Sequence, residues 1–229
     1  MDKYVLIVAG GKGLRMGGDL PKQFIPMRGK PLLMHTLEAF HRWDASARII
    51  LVLPEDHQPY WNMLCKEIGC KVPHAIVKGG DTRFFSVKNG LDWLLAERRR
   101  KGEEDSGLSL VAVHDGVRPF VSPEVVEACF DKAAVTGAVI PVVPMIDSLR
   151  ETDEKGSHPV DRSRYMAVQT PQVFHLELLT KAYEQPYSSL FTDDASVVEA
   201  MGHAIDTVPG DRENIKICLL YTSDAADEL

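Results

Sequence analysis

Residues 4–16 read Tyr-Val-Leu-Ile-Val-Ala-Gly-Gly-Lys-Gly-Leu-Arg-Met, an apolar run that passes directly into a glycine-rich, basic loop. The apolar half, Tyr4–Ala9, is typical of a short buried strand. Glycines that follow a strand let backbone N–H groups approach an anion closely, and consecutive N–H groups form a nest for phosphate. Arg15 in this loop and Lys22 just beyond it add two positive charges. The stretch therefore predicts a first strand that ends in a cradle for a polyphosphate.

Strand-like runs and helical periodicity alternate through the first half of the chain. The further strand-like runs are Arg48–Leu53, His74–Val77, Leu110–His114 and Ala138–Val143. Between them, apolar residues recur at the three-to-four spacing of one helix face. The three sets are Leu33/Leu37/Phe40, Val87/Leu91/Leu94 and Val126/Cys129/Phe130/Ala133. The pattern predicts an α/β, Rossmann-like fold, with helices on both faces of a mostly parallel sheet and ligands beyond the carboxyl ends of the strands.

Two other uses of a glycine-rich loop fit this stretch poorly. The P-loop pattern Gly-x-x-x-x-Gly-Lys-Ser/Thr is absent, and Gly11-x-Gly13 lacks the third glycine of the dinucleotide fingerprint. A structural alternative is that Gly10, Gly11 and Gly13 form only a tight turn. The neighbouring cations favour the phosphate cradle.

Composition excludes several classes of protein. The chain has 229 residues, and its 26 Lys and Arg against 33 Asp and Glu give a formal net charge of −7. This acidic balance argues against nucleic-acid binding, which needs a clustered basic surface. The longest apolar run of note, Ile49–Leu53, is too short to span a membrane, and no signal segment is recognised. We therefore expect a cytoplasmic protein that folds as a single domain over residues 1–229.

The cysteines give no sign of a metal site or of a disulfide framework. They are Cys65, Cys70, Cys129 and Cys218, and their spacing matches no metal-binding pattern. We expect reduced, packed thiols.

Residues 147–165 break the alternation. The segment is polar, and Glu151–Gly156 within it is a turn signal flanked by alternating residues. This pattern predicts a β-hairpin that projects from the main sheet. Because an isolated hairpin is only marginally stable, we expect it to lean on a second copy of the chain as a dimerisation arm.

A series of motifs resembles the sugar-nucleotide-type nucleotidyltransferases, and within them most closely the 2-C-methyl-D-erythritol 4-phosphate cytidylyltransferase family. The match begins with Ala9–Met16 and Pro21–Gln23 and continues in order almost to Ile217. The other matching motifs are Gly79–Val87, His114–Pro119, Asp147-Ser148, Val160–Arg162, Gln169–Gln172, Thr192–Ser196 and Asn214–Lys216. After Ile217 the chain departs from the family's ending, because Cys218–Leu229 lacks the expected Thr-x-Pro-x-Asp-Leu.

The resemblance implies a reaction of the non-mevalonate isoprenoid pathway, in which CTP and 2-C-methyl-D-erythritol 4-phosphate give the CDP-alcohol and pyrophosphate. An acceptor phosphate oxygen attacks the α-phosphorus in line, and Mg²⁺ offsets the charge of the triphosphate. Since both reactants are anions, catalysis depends on positioning and on preorganised positive charge, and it requires no protein nucleophile. The resemblance also implies a homodimer, in which the arm of one subunit faces the nucleotide pocket of the other.

The resemblance assigns roles to individual residues as well. The catalytic cations are Arg15, Lys22, Arg162 and Lys216; the nucleotide contacts are Ala9, Gly10, Gly11, Gly13, Gly80, Asp81 and Ser86; the acceptor contacts are Asp115, Arg118, Ser148, Thr170 and Thr192. Asp115 is also the candidate ligand of Mg²⁺. Structural alternatives stay open: Gly79–Asp81 as a plain turn with Ser86 capping the next helix, Asp115 as a helix cap, and Thr192 or Asp193 as a helix cap.

Other functions also stay open on the sequence alone. The acceptor can be another polyol phosphate, such as ribitol 5-phosphate or glycerol phosphate, because the nucleotide motifs are shared. A non-catalytic sensor of CTP needs no acceptor-side cations, so Arg162 and Lys216 argue against that function. A dehydrogenase is disfavoured by the incomplete dinucleotide fingerprint.

Overall fold

The computed structural model of the protein describes residues 1–10, 20–103, 107–154 and 156–217. The strands of this part are β1 (Asp2–Val8), β2 (Pro26–Met27), β3 (Lys30–Pro31), β4 (Arg48–Leu53), β5 (His74–Lys78), β6 (Ser109–Asp115), β7 (Ala138–Pro144), β8 (Arg150–Asp153), β9 (Gly156–Pro159), β10 (Met166–Val168), β11 (Gln172–His175) and β12 (Asp206–Pro209). The helices are α1 (Leu32–Trp43), α2 (Gln58–Ile68), α3 (Arg83–Lys101), α4 (Pro123–Thr136), α5 (Leu176–Ala182) and α6 (Asp194–Glu199).

The central sheet has the order β10-β7-β11-β6-β1-β4-β5, and β12 pairs with β7. Strands β6, β1, β4 and β5 run parallel to one another. The five strands expected from the sequence agree with β1, β4, β5, β6 and β7 to within two residues at either end. The α/β fold with a mostly parallel sheet is confirmed.

The strand-like runs of the sequence do not include three strands of the sheet, β10, β11 and β12. β11 lies between β6 and β7 and runs antiparallel to both. β6 and β7 follow one another along the sequence, but β11 separates them in the sheet. Because β11 is antiparallel to both, the sheet is mixed on this side. β10 extends the same side, antiparallel to β7.

Helices cover both faces of the sheet, as expected. Along β1, Val5 and Ile7 belong to a core shared with α1, α2 and α4, whereas Tyr4 and Leu6 belong to a second core shared with α3, α5 and α6. This division follows from the alternation of side chains along a strand. Within the described part of the chain, no helix combines the length and the apolar character needed to cross a membrane.

The expected hairpin is present within residues 147–165. β8 and β9 pair antiparallel as a separate two-stranded sheet, and every residue of both strands is exposed. Its proposed role in dimerisation stays a prediction.

Candidate active site

A cavity of about 210 Å³ lies beyond the carboxyl ends of β1 and β6. It is lined by Val8, Ala9, Gly10, Lys22, Gln23, Gly80, Asp81, Thr82, Arg83, Ser86, Asp115, Val117 and Lys216. β1 has β6 on one side and β4 on the other, so the cavity lies where the strand order reverses. A larger groove of about 1010 Å³ lies at the amino end of β6, and none of its described lining residues belongs to the predicted site.

Lys22 and Lys216 both line the cavity, although they are far apart in the sequence. Lys22 lies on a short 3₁₀ helix whose last residue, Phe24, is buried. The ring of Phe24 stacks on that of Trp61, which anchors the helix against α2. The structure thus brings two of the four predicted cations to one cavity.

The described structure does not bring the other two predicted cations to this cavity. Arg15 is outside the described residues, as are Gly11 and Gly13. Arg162 follows the hairpin, is exposed, and donates a hydrogen bond to the carbonyl of Ile146. Within the described part of one chain, Arg162 does not line the cavity.

The loop that precedes α3 forms part of the cavity wall, and Ser86 holds it in place. The buried Ser86 hydroxyl accepts a hydrogen bond from Gly80 N (3.0 Å) and donates to the carbonyl of Thr82 (2.9 Å). Gly80 has no room for a side chain, because a Cβ there would lie 2.4 Å from that of Phe85. Thr82 caps α3, since its side chain accepts from Phe85 N at 3.4 Å. The alternative in which Ser86 caps this helix is therefore wrong.

Asp115 ends β6 and is surrounded by three cations. Its carboxylate lies 3.0 Å from Lys216 Nζ, 3.2 Å from Arg118 Nε and 3.9 Å from Arg83 Nε. Burial by itself would raise the pKa of Asp115, but the three positive charges hold that pKa well below its usual range. Asp115 is therefore ionised at neutral pH. The helix-cap alternative is wrong, because a turn follows β6 and the next helix begins only at Pro123.

Buried hydrogen bonds fix the backbone at the end of β6. The N–H of Asp115 donates to Thr170 Oγ1 (3.1 Å), which also lies 3.1 Å from His114 Nδ1. His114 Nε2 lies 3.1 Å from the carbonyl of Arg118. These contacts suit a neutral imidazole with its proton on Nε2. Burial lowers the pKa of His114 to about 4, so the ring is uncharged at neutral pH.

The segment 210–217 crosses the carboxyl end of the sheet and carries Lys216 to the cavity. The side chain of Asn214 is buried and donates to the carbonyl of Thr170 at 2.8 Å. Ile217 is fully buried, and its N–H donates a hydrogen bond to the carbonyl of Val117, in the loop after β6, at 3.0 Å. Lys216 is thus held between two anchored neighbours.

Arg83 lines the cavity but was not predicted as a site residue. Its guanidinium donates two hydrogen bonds to the Asp194 carboxylate, of 2.9 Å and 2.6 Å. Asp194 is fully buried and also accepts from the Tyr183 hydroxyl at 2.6 Å. Burial alone would lower the pKa of Arg83, but Asp194 raises it, so Arg83 stays charged. The two partners are 111 positions apart, and their presence in two motifs of the family was the available signal.

The remaining predicted acceptor contacts occupy different environments. Arg118 donates to the carbonyl of Asn214 at 2.7 Å as well as pairing with the carboxylate at the end of β6. Thr170 is buried, and its hydroxyl is hydrogen bonded to the N–H of Asp115 and to His114 Nδ1. Ser148 and Thr192 are exposed and do not appear in the described lining of the cavity.

Asp193, rather than Thr192, caps α6. Its side chain accepts from Ser196 N at 2.9 Å, and the Ser196 side chain bonds back to the Asp193 N–H at 3.2 Å. This reciprocal arrangement is a capping box.

The carboxylates available for a metal are few. Among the described residues, no group of three or more His, Cys, Asp or Glu side chains could hold a metal ion. Asp81 and Asp115 are the carboxylates in the described cavity wall. Mg²⁺ is commonly held by one or two carboxylates together with substrate phosphates, so an ion that arrives with a nucleotide would need only one of these two side chains.

Sequence comparisons find close relatives along the whole chain. The model of the 2-C-methyl-D-erythritol 4-phosphate cytidylyltransferase family matches residues 4–226, which extends past Ile217. A protein of that name from Bacteroides fragilis is 53% identical over 229 residues, covering 100% of each chain. Another from Bacteroides thetaiotaomicron is 54% identical over 217 residues, covering 95% of this chain and 94% of the relative.

Solved structures show the same fold. The 2-C-methyl-D-erythritol 4-phosphate cytidylyltransferase of Thermus thermophilus superimposes with a TM-score of 0.72 at 30% identity, covering 100% of both chains. The 4-diphosphocytidyl-2C-methyl-D-erythritol synthase of Anaerococcus prevotii gives a TM-score of 0.78 at 26% identity, covering 99% of this chain and 95% of that one.

Proposed function

This chain belongs to the 2-C-methyl-D-erythritol 4-phosphate cytidylyltransferase family, and from that premise we propose how its own residues carry out the reaction. The chain transfers the cytidylyl group of CTP to 2-C-methyl-D-erythritol 4-phosphate and releases pyrophosphate, a step in isoprenoid precursor synthesis. The observation that supports the residue roles is the meeting of Lys22, Lys216 and Asp115 at one cavity. We treat residues 1–229 as one nucleotidyltransferase domain, and its cytoplasmic location stays a prediction.

The nucleotide binds at the wall formed by the loops after β1 and β5. Ala9, Gly10, Gly80 and Asp81 line this wall with backbone and small or polar groups, which suits the donors and acceptors of a cytosine edge. Ser86 shapes this wall by holding Gly80 in place. Gly11 and Gly13 are assigned to the triphosphate by the sequence motif alone.

Charge repulsion is the main obstacle to the reaction. A phosphate dianion must approach a triphosphate, and negative charge builds on the α-phosphoryl oxygens as pyrophosphate departs. Lys22 supplies a compact positive charge at the cavity, and Arg15 supplies a forked donor from the glycine-rich loop. No general base is required, because the acceptor phosphate is already ionised at neutral pH.

The acceptor binds on the side of the cavity where β6 ends. Lys216 orients its phosphate for in-line attack, and Asp115 and Arg118 bind its hydroxyl groups. The ion pairs among these three residues align them before a substrate arrives. Thr170 contributes by fixing the backbone of Asp115, and Thr192 is kept as an acceptor contact on the resemblance alone.

A second copy of the chain supplies the rest of the acceptor site. Arg162 and Ser148 lie at the base of the exposed hairpin, and from there they would reach a partner's cavity. Apolar residues in the same region are unusually exposed: Ile146 by 60%, Tyr165 by 47%, Met166 by 46% and Val168 by 42%. Such a patch supports a homodimer, because it would otherwise face water.

Mg²⁺ is the proposed metal, with Asp115 as its protein ligand. The ion would offset the charge of the bound triphosphate. The chain's own part is to keep Asp115 ionised, which the surrounding cations ensure.

The decisive experiment is a panel of substrates measured by pyrophosphate release. CTP would be combined with 2-C-methyl-D-erythritol 4-phosphate, ribitol 5-phosphate and glycerol 3-phosphate, and the first acceptor would then be combined with UTP, ATP and GTP. We expect the highest kcat/KM for CTP with the methylerythritol phosphate. A preference for ribitol 5-phosphate would identify a different cytidylyltransferase, and CTP binding without pyrophosphate release would identify a sensor.

A further inference from the structure

The end of helix α2 brings two cysteine side chains together. Gly69, just past the helix, adopts a left-handed conformation with φ of 76°. The N–H groups of Gly69 and Cys70 both donate to the carbonyl of Cys65, at 3.0 Å and 2.9 Å. This is a Schellman arrangement, in which the side chains of the two outer residues meet. Here those residues are Cys65 and Cys70, and their side chains lie close enough to shift each other's pKa.

Partial exposure sets these two residues apart from the third described cysteine. Cys65 and Cys70 are partly exposed, whereas Cys129 is buried in the core. None of these three cysteines is joined in a disulfide in the described part of the chain, and their reduced state stays a prediction. Accessibility and proximity together distinguish the pair from Cys129.

The surroundings make the two thiols chemically unequal. Contact with the Cys65 side chain lowers the pKa of Cys70 to about 6. The backbone of Val72 and the nearby His74 lower this pKa further, whereas burial and Glu38 raise it. The same contact raises the pKa of Cys65 above its usual range. At neutral pH Cys70 is therefore the thiolate, and Cys65 is the thiol beside it.

We propose that Cys65 and Cys70 form a redox-active dithiol, which a hydroperoxide converts to a disulfide. The Cys70 thiolate attacks one peroxide oxygen, which breaks the O–O bond and gives a sulfenic acid and hydroxide. Cys65 then attacks the Cys70 sulfur, which forms the S–S bond and releases water after proton transfer. In sum, two thiols are oxidised and one hydrogen peroxide is reduced to two waters. A dithiol reductant reverses the change.

Trypsin cleavage between the two cysteines provides a direct test. Cleavage after Arg48, Lys66 and Lys71 places Cys65 in peptide 49–66 and Cys70 in peptide 67–71. After hydrogen peroxide treatment of the full chain and alkylation of remaining thiols, mass spectrometry should find these two peptides joined, and dithiothreitol should separate them. The joined species should persist in Cys129→Ser and Cys218→Ser and disappear in Cys65→Ser and Cys70→Ser. Its absence from the oxidised wild type, or a link from either cysteine to Cys218 instead, would overturn the proposal.

A second measurement tests whether Cys65 lowers the pKa of Cys70. The rate at which iodoacetamide alkylates Cys70 should reach half its plateau near pH 6, whereas an ordinary thiol does so at about pH 8.5. Cys65→Ser retains a hydrogen-bond donor and should keep this midpoint, while Cys65→Ala should raise it. Circular dichroism would confirm that both variants are folded. Equal midpoints in the two variants would show that Cys65 does not activate Cys70.

Discussion

At the scale of single residues, Asp115 shows how one carboxylate organises a site that binds anions. It pairs with Arg118 and Lys216 and lies 3.9 Å from Arg83, so the two paired cations are positioned before any substrate arrives. The place of Asp115 was predictable, because the apolar strand pattern ends at His114. Its partners were harder to predict, since they come from three separate segments of the chain. Of these, Arg83 was missed as a site residue.

Replacing Lys22 with alanine should lower turnover by about 100-fold or more, the scale of losing one donor to a developing oxyanion. Arg15→Ala should have a loss of the same order. The matched control is Lys30→Ala, which removes a surface lysine paired with Glu38 at 2.7 Å. Steady-state pyrophosphate release measures the effect. Near-normal turnover in folded Lys22→Ala and Arg15→Ala would refute the roles assigned to both residues.

His114 should make the folded chain less stable in acid. Its pKa in the folded state is about 4, below the ordinary 6.5, so the unfolded chain binds more protons between these values. The free energy of unfolding should therefore fall as the pH drops from 6.5 to 4, by about 3 kcal/mol from this residue. Urea titrations of wild type and His114→Gln across this range measure it. Equal pH dependence in both proteins would contradict the assignment.

At the scale of elements, regular patterns were predictable and short insertions were not. In residues 147–165, a turn signal flanked by alternating residues predicted the hairpin. The polar composition was compatible with it, because strands that are exposed on both faces need no apolar side chains. β11 has only four residues, too few to establish a period, and its place in the sheet depends on contacts distant in sequence. The cap of α6 illustrates a similar limit. Thr192 and Asp193 are both good capping residues, and the reciprocal bond with Ser196 decides for Asp193.

Removing the hairpin should give a folded monomer without activity. Val160 N donates to the carbonyl of Leu149 at 3.2 Å, so an Asn-Gly turn can replace Arg150–Pro159 without moving the flanking chain. Sedimentation would report the mass, and pyrophosphate release the activity. His158→Ala, which keeps the hairpin, is the control and should stay dimeric and active. A deletion variant that is monomeric yet fully active would show that the arm is dispensable.

At the scale of the whole molecule, the site depends on topology more than on overall charge. The net charge is −7, yet the cavity gathers Lys22, Arg83 and Lys216 around its wall. The local cluster of positive side chains can therefore attract anionic substrates although the protein as a whole is negatively charged. A site beyond the carboxyl ends of the strands was predictable from alternating strands and helices. The mixed half of the sheet was not, because alternation does not specify where a returning strand inserts.

Two inactive variants should restore each other if two copies share each site. Lys22→Ala damages the cavity and Arg162→Ala damages the arm, so a hybrid dimer holds one intact site and one doubly damaged site. Statistical mixing by co-expression should recover about one quarter of wild-type activity. Lys22→Ala mixed with Lys216→Ala is the control and should recover nothing, because both changes fall in the same cavity. Failure of the first pair, with hybrids demonstrated, would place Arg162 outside the shared site.

Because the segment 210–217 lies near the end of the sequence, it is synthesised after the rest of the cavity wall. Its anchors and Lys216 complete a cavity whose first wall is laid down by residues 8–10. During translation, this cavity therefore cannot be completed until residue 216 has been added to the chain. Premature termination before that codon would leave a product without the cation that we propose to align the acceptor.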